Sequence, residues 1–333
     1  MDPVALYEEA RAREGAQSGH YNRNVRVEAD SGPVLVRMRA DAAEAMDLTL
    51  WPEADVLGAI APYVPSAPRL LHTESEPAFQ VHEFVEGRRV DEVHPDGKPL
   101  PESLLDAIGS FFGRLLGIPS DAVPPVPADW PPDGDTAGFA LRLLDLVHQI
   151  RHRADPAFAE LYAALGVPDD PCVRLRARAA ALTGRPFRLL HADVHRKNMI
   201  LARRGGLVVL DWELALWGDP VYDLADHVHK MSYTPSDRVA IIEAWRRAAP
   251  RDCRRGLRAD LDYYLAHEAV KSAVVDTVRW GRRVAAAPSE AEARSLASEL
   301  AAKLAAAQPH WADEPTAAPA PENVREAVHR CLG

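Results

Sequence analysis

Two periods of apolar residues run along the chain and divide it near residue 86. Before that point the short period of strands dominates. Val25-Arg-Val-Glu alternates, a turn falls at Ala29-Asp-Ser-Gly-Pro33, and Val34-Leu-Val-Arg-Met-Arg39 follows, which predicts a β-hairpin. Arg69 to Thr73 and Ala78 to Val85 predict two further strands, and Glu86-Gly-Arg-Arg reads as a break. Val4 to Arg13 has helical spacing, as does Pro52 to Ile60 through Val56, Leu57 and Ile60. The first 86 residues are therefore expected to form a small antiparallel sheet with an inserted helix.

After residue 86 the helical period takes over. Leu104, Leu105, Ile108, Phe111, Phe112, Leu115 and Leu116 mark one broad apolar face within 100–117. Residues 118–135 are rich in Pro and Asp and predict a loop. Helical patterns resume over 138–153, 156–165 and 171–183, then from Tyr222, over 237–248, over 257–283 and over 289–307. Residues 312–322 are rich in Pro and Ala and read as a linker before a last short helix. Sheet first and helices after is an α+β plan.

One stretch fits neither period. Leu189 to Glu213 sets two apolar runs around a dense polar loop, His191-Ala-Asp-Val-His-Arg-Lys-Asn198, and the second run ends in Asp211-Trp-Glu. An acid (Asp193), an amide five residues on (Asn198) and a second acid (Asp211) suit phosphoryl transfer with a divalent metal. A carboxylate on the loop orients or deprotonates an attacking hydroxyl. The amide and the second acid supply hard oxygen ligands of the kind magnesium takes. A rival reading takes His191 and His195 as ligands of a metal hydrolase.

Composition narrows the setting. The chain has 333 residues, 47% hydrophobic and 26% charged, with no apolar run long enough to span a membrane and no secretory pattern at the start. Cys172, Cys253 and Cys331 are scattered and odd in number, which fits a reducing cytoplasm better than a disulfide framework. A net charge of −10 makes nucleic acid a poor partner.

The spacing His191-x-Asp193-x-x-x-x-Asn198, the strand ending in Asp211, and the later Gly218-Asp-Pro-Val-Tyr-Asp223-Leu-Ala resemble the aminoglycoside phosphotransferase family, of the kinase-like fold shared with choline and fructosamine kinases. The resemblance implies a bilobal protein-kinase-like fold. Residues 1–86 would be a sheet-based N-lobe that clamps the nucleotide, and 87–333 a mainly helical C-lobe. It implies ATP or GTP and Mg2+ as cofactors, a small-molecule hydroxyl as acceptor, and a cytoplasmic monomer or homodimer.

It also implies roles. Asp193 would be catalytic, and Asn198 and Asp211 would hold the metal. His191 and Asp223 would brace the loop, with Asp219 as a helix N-cap. Ser18 and Gly19 would lie over the phosphates, and Arg37 would replace the usual Lys, paired with Glu53 or else Asp55. Glu83 and Val85 would meet the base, with Val81 or His82 as gatekeeper. His195, Arg196 and Trp212 would touch the acceptor, together with carboxylates from Asp129, Asp133, Asp135, Asp260, Asp262, Glu268 and Asp276, and aromatic rings from Trp130, Trp217, Trp280, Tyr263 and Tyr264. The acceptor would be an antibiotic, aminoglycoside-like or a nucleoside or peptide, or alternatively choline, an amino acid or a sugar amine; the departure at Arg37 also leaves a kinase-inactive binding protein as a further reading.

Overall fold

The computed structural model describes residues 2–13, 17–18, 22–39, 49–153, 155–312 and 319–333. In chain order the elements are α1 (Pro3–Ala12), β1 (Gln17–Ser18), β2 (Asn22–Ala29), β3 (Gly32–Arg39), α2 (Glu53–Ile60), β4 (Leu70–Ser75), β5 (Ala78–Glu83), β6 (Gly87–Arg89), α3 (Val90–Val93) and α4 (Glu102–Leu116). Then come α5 (Thr136–Arg153), α6 (Pro156–Ala164), α7 (Val173–Arg178), β7 (Arg188–Leu190), β8 (Met199–Ala202), β9 (Leu207–Val209) and β10 (Leu216–Gly218). The chain ends with α8 (Pro220–Lys230), α9 (Pro235–Ala248), α10 (Leu257–Ala285), α11 (Glu290–Trp311) and α12 (Pro321–Leu332).

Two compact units result, residues 1–128 with 187–254, and residues 129–186 with 255–333. The lobe boundary expected at residue 86 falls inside the first unit, in the irregular stretch between β5 and β6.

In the first unit an antiparallel sheet of order β1-β2-β3-β5-β4 forms first. Its hairpin register sets Arg37 opposite Asn24 and Leu35 opposite Arg26. Alternation then gives each strand two faces. One face carries Val25, Val27, Val34, Val36 and Val81 into a core closed by Leu6 and Ala10 of α1. That helix starts where Asp2 accepts the N–H groups of Val4 and Ala5. The other face carries Arg37 and His82.

The helical face predicted on α4 is the buried one, all seven positions included. Added Cβ atoms at Gly109 and Gly113 would meet Ala244 and Ala248 of α9 at 2.9 Å, so these glycines set how closely the two helices pack. Glu86-Gly-Arg-Arg is not a break: Gly87–Arg89 pair with β8, which pairs with β9, as a three-stranded sheet. β7 pairs with β10. No described helix is long and apolar enough to cross a membrane.

The second unit is helical. The 29-residue α10 carries Val270, Ala273 and Val274 in its core, and α11 lies along it. The helix expected over 171–183 is shorter, Val173–Arg178 with a 3-10 turn to Ala181. Of the expected linker, 313–318 lie outside the described residues, and Pro321 already begins α12.

Candidate active site

Asp193 follows β7 on a loop whose shape is set from α8. Asp219 caps that helix by accepting the Val221 N–H, as expected. One turn on, the Asp223 carboxylate accepts the N–H of His191 at 3.0 Å and of Ala192 at 2.7 Å. Ala192 has φ +59, a left-handed conformation that L-residues resist, and the two hydrogen bonds hold it there. Burial pushes the Asp223 carboxyl up to about 7 against the pull of those N–H groups.

His191 is fully buried and braces the loop from the other side. Its Nε2 donates to the Leu210 carbonyl at 3.0 Å, and its Nδ1 accepts the Asp193 N–H at 3.3 Å. Burial lowers its pKa to about 4, so it is neutral. Both ring nitrogens are engaged, which removes His191 as a metal ligand and with it the hydrolase reading. The Nδ1 of His195 accepts the Lys197 N–H, and its Nε2 stands 3.6 Å from Asp193 Oδ1.

The Asp193 carboxylate is held at both oxygens. Asn198 Nδ2 donates to Oδ2 at 2.9 Å and to the Asp193 carbonyl at 3.1 Å. Lys230 Nζ donates to Oδ1 at 2.7 Å. Burial works to raise this carboxyl, but the Lys230 ammonium and the His195 ring together hold it well below the usual carboxylate range. The Asn198 amide nitrogen being committed to Asp193, its Oδ1 is the atom left to meet a cation.

Asp211 follows β9 with φ +66. Arg37 reaches it from β3 with Nη2 2.5 Å from Asp211 Oδ1 and 3.0 Å from Glu213 Oε2. Arg37 Nε lies 2.9 Å from Glu53 Oε2, and the other Glu53 oxygen accepts the Trp212 N–H at 3.0 Å. Glu53, not Asp55, is therefore the helix carboxylate. Asn22 Nδ2 donates to Glu213 at 2.5 Å. One buried guanidinium thus serves three carboxylates. Burial opposes its charge, but Glu53, Asp211 and Glu213 together raise its pKa further. Burial, then repulsion by Asp211, pushes Glu213 up to about 7.

The other expected site residues are more scattered. Ser18 lies in β1 opposite Arg23, and Gly19 is outside the described residues. Val81 belongs to the α1 core, so His82, buried on the opposite face, is the gatekeeper candidate. Burial lowers the His82 pKa to about 3, with help from Arg37. Glu83 uses its own N–H on the Arg69 carbonyl, and Val85 sits half-buried in the irregular stretch after β5.

Two acceptor candidates prove to be interior residues. Arg196 is 2% exposed and donates to the carbonyls of His94, Pro95, Lys98 and Met231. Trp212 is fully buried, donates to the Val209 carbonyl, and packs its ring on His191. Neither side chain is placed to touch an acceptor.

The second unit corrects the acceptor carboxylates too. Asp260 is ion-paired with Arg185, Glu268 with Lys271 at 2.6 Å and Asp276 with Lys303 at 2.8 Å. Asp129 faces Arg142 at 3.5 Å, and Asp135 caps α5 through the Gly138 N–H. Asp262 is exposed. Tyr263, Tyr264 and Trp217 are core residues, Trp130 packs on Phe139, and Trp280 donates to Glu299.

Sequence reasoning missed three contributors. Lys230 and His227 come from α8, and Glu213 was read only as the end of a motif. His227 Nδ1 donates to the Val194 carbonyl at 2.7 Å, and its Nε2 accepts the Tyr233 hydroxyl at 2.8 Å. Burial lowers its pKa to about 4. The apolar-polar spacing of α8 contained the signal, since Asp226, His227 and Lys230 sit on or beside a face that also carries Asp223.

Residues 13–259 match the model of the phosphotransferase enzyme family, and the chain belongs to that family. No curated protein matches it by sequence. By fold it is similar to an ethanolamine kinase of Plasmodium vivax, at 13% identity and TM-score 0.61, over 89% of this chain and 85% of that one. It is also similar to a macrolide 2'-phosphotransferase of Brachybacterium faecium, at 15% identity and TM-score 0.55, over 95% and 100%. A choline kinase of Streptococcus pneumoniae aligns at 12% identity and TM-score 0.56, over 90% and 99%. These likenesses show the kinase-like fold, with the antiparallel sheet early in the chain and helices after it.

Proposed function

We propose that the protein moves the γ-phosphoryl group of ATP or GTP to a hydroxyl of a small molecule. The observation that carries this reading is the arrangement around Asp193: a carboxylate fixed at both oxygens, with the Asn198 amide turned against it. Asp193 orients the acceptor hydroxyl and takes up its proton as the new P–O bond forms and the bond from the γ-phosphorus to the β–γ bridging oxygen breaks, releasing the nucleoside diphosphate. Arg37 balances phosphate charge from β3, held by Glu53. The backbone near Glu83 and Val85 meets the base.

The donor set fits magnesium, because Asn198 Oδ1 and Asp211 are hard oxygens and the remaining ligands come from phosphate and water. When bound, the ion supplies charge neutralisation between the phosphates.

The acceptor we propose is an antibiotic hydroxyl, so that the protein confers resistance, in a cytoplasmic setting. The named activity of the macrolide 2'-phosphotransferase supports this class. A nucleotide-consumption screen with ATP and with GTP, against antibiotics and hydroxylated metabolites, tests it. Consumption driven by an antibiotic, followed by protection of a sensitive host, is the expected result. Turnover with metabolites alone replaces resistance by metabolism. No turnover with any hydroxyl compound overturns the reading.

A further inference from the structure

Lys230 ends α8 and turns its ammonium onto the candidate catalytic loop. Its Nζ lies 2.7 Å from Asp193 Oδ1, 2.8 Å from Asp226 Oδ1 one helical turn back, and 3.2 Å from the Ala192 carbonyl. An ammonium has three N–H donors, and these are three acceptors in fixed positions. Asp226 is fully buried, and the Lys230 side chain is 24% exposed. The cation is therefore anchored by a buried carboxylate of its own helix, and presents itself to Asp193 from α8. It is one of only five lysines in the chain.

A hydroxyl within hydrogen-bond reach of the Asp193 carboxylate, about 2.6–3.2 Å, meets an oxygen pair already fixed by Lys230 on Oδ1 and Asn198 on Oδ2. The ammonium stands between two carboxylates, Asp193 and Asp226, so it sets the direction of Asp193 without leaving net positive charge at the site.

We propose that Lys230 is a positioning residue for Asp193: tied to Asp226, it holds the Asp193 carboxylate in the orientation that receives the acceptor hydroxyl. This rests on the reading of Asp193 as the residue that orients the acceptor.

The test uses the full chain with Mg2+ and ATP, or GTP where the screen shows it preferred, and water as the acceptor. Hydrolysis is followed in wild type, Lys230→Met, Lys230→Arg and Asp193→Asn, with circular dichroism and binding of a fluorescent ATP analogue as checks on folding. Lys230→Met is expected to lower kcat at least tenfold while the nucleotide KM stays within twofold, and Lys230→Arg to restore at least half of the lost rate. Wild-type kcat in Lys230→Met, or failure of Lys230→Arg to restore any rate, overturns the positioning role. Should Lys230→Met fail to fold, Lys230→Gln is read in its place under the same criteria. A wild-type rate in Asp193→Asn, or no turnover by the wild type, overturns the underlying reading and this inference with it.

Discussion

Asp223 holds Ala192 in a left-handed turn: its Oδ1 accepts the Ala192 N–H at 2.7 Å, and Ala192 has φ +59. With His191 on the other carboxylate oxygen, this pair decides where the Asp193 side chain points. Asp223→Ala strands two buried N–H donors, each costing about 1–3 kcal/mol. The expected loss is roughly 2–6 kcal/mol in urea unfolding. A wild-type midpoint would show that the loop holds its turn without the carboxylate.

Asp193→Ala and Asp211→Ala are each expected to abolish transfer, a loss of at least about 100-fold, while the fold persists. Initial rates alongside near-UV circular dichroism check this. Full activity in either variant removes the mechanism.

Arg37 is the cation among Glu53, Asp211 and Glu213, so Arg37→Ala leaves buried carboxylates facing one another. Breaking a buried pair from one side costs about 3–5 kcal/mol. Arg37→Lys keeps a charge but not the fork that meets Glu53 through Nε and Asp211 through Nη2. Thermal unfolding should rank wild type above Lys above Ala.

His227 contributes a pH dependence of definite sign. Its pKa is about 4 when folded and about 6.5 when unfolded, so between those values the unfolded chain binds the extra proton. Its contribution is complete above pH 6.5 and is lost as pH falls toward 4, by about 2 kcal/mol at pH 5. Asp223 and Glu213, both raised to about 7, run the other way, because their stabilising protonated forms are lost as pH rises. Comparing wild type with His227→Gln isolates the histidine: the variant should lose less stability between pH 7 and pH 5. An equal loss in both proteins would contradict the assignment.

Gly87 stands where β6 meets β8. A Cβ there would collide with the Leu201 carbonyl and the Ile200 side chain. Gly87→Ala forces these strands apart at a cost of about 1–3 kcal/mol. Hydrogen exchange at Arg203, whose N–H donates to the Glu86 carbonyl at 2.8 Å, should rise in the variant, and unchanged protection would mean that the strands yield without parting.

Much of this was legible in the residues themselves. The seven apolar positions of α4, the hairpin around Gly32 and the Asp219 cap follow from spacing and residue type, and the structure keeps them. What stayed hidden depended on partners remote in sequence. Gly87-Arg-Arg has no alternation and becomes a strand only because β8 offers an edge. Arg196 and Trp212 looked available because one is charged and the other lies beside Asp211. Four carbonyls around one guanidinium, and the His191 ring under the indole, take both into the interior. The carboxylates of α10 looked available because their partners, Arg185 and Lys303, lie 75 and 27 residues away. Lys230 escaped notice for the same reason, 37 residues beyond the carboxylate it serves.

The strand that had looked like a break also has a mechanical consequence. Because β6 is zipped to β8, the chain leaving the five-stranded sheet is fastened at once to the strand that begins beside Asn198. Only Phe84, Val85 and Glu86 lie between the two sheets along this path. Any swing of the larger sheet must be absorbed by those three residues, with Arg37 as the latch at the far side. The stretch proposed to meet the base would thus also be the pivot of any such swing, and a molecule that stiffens it would arrest the swing without touching Asp193.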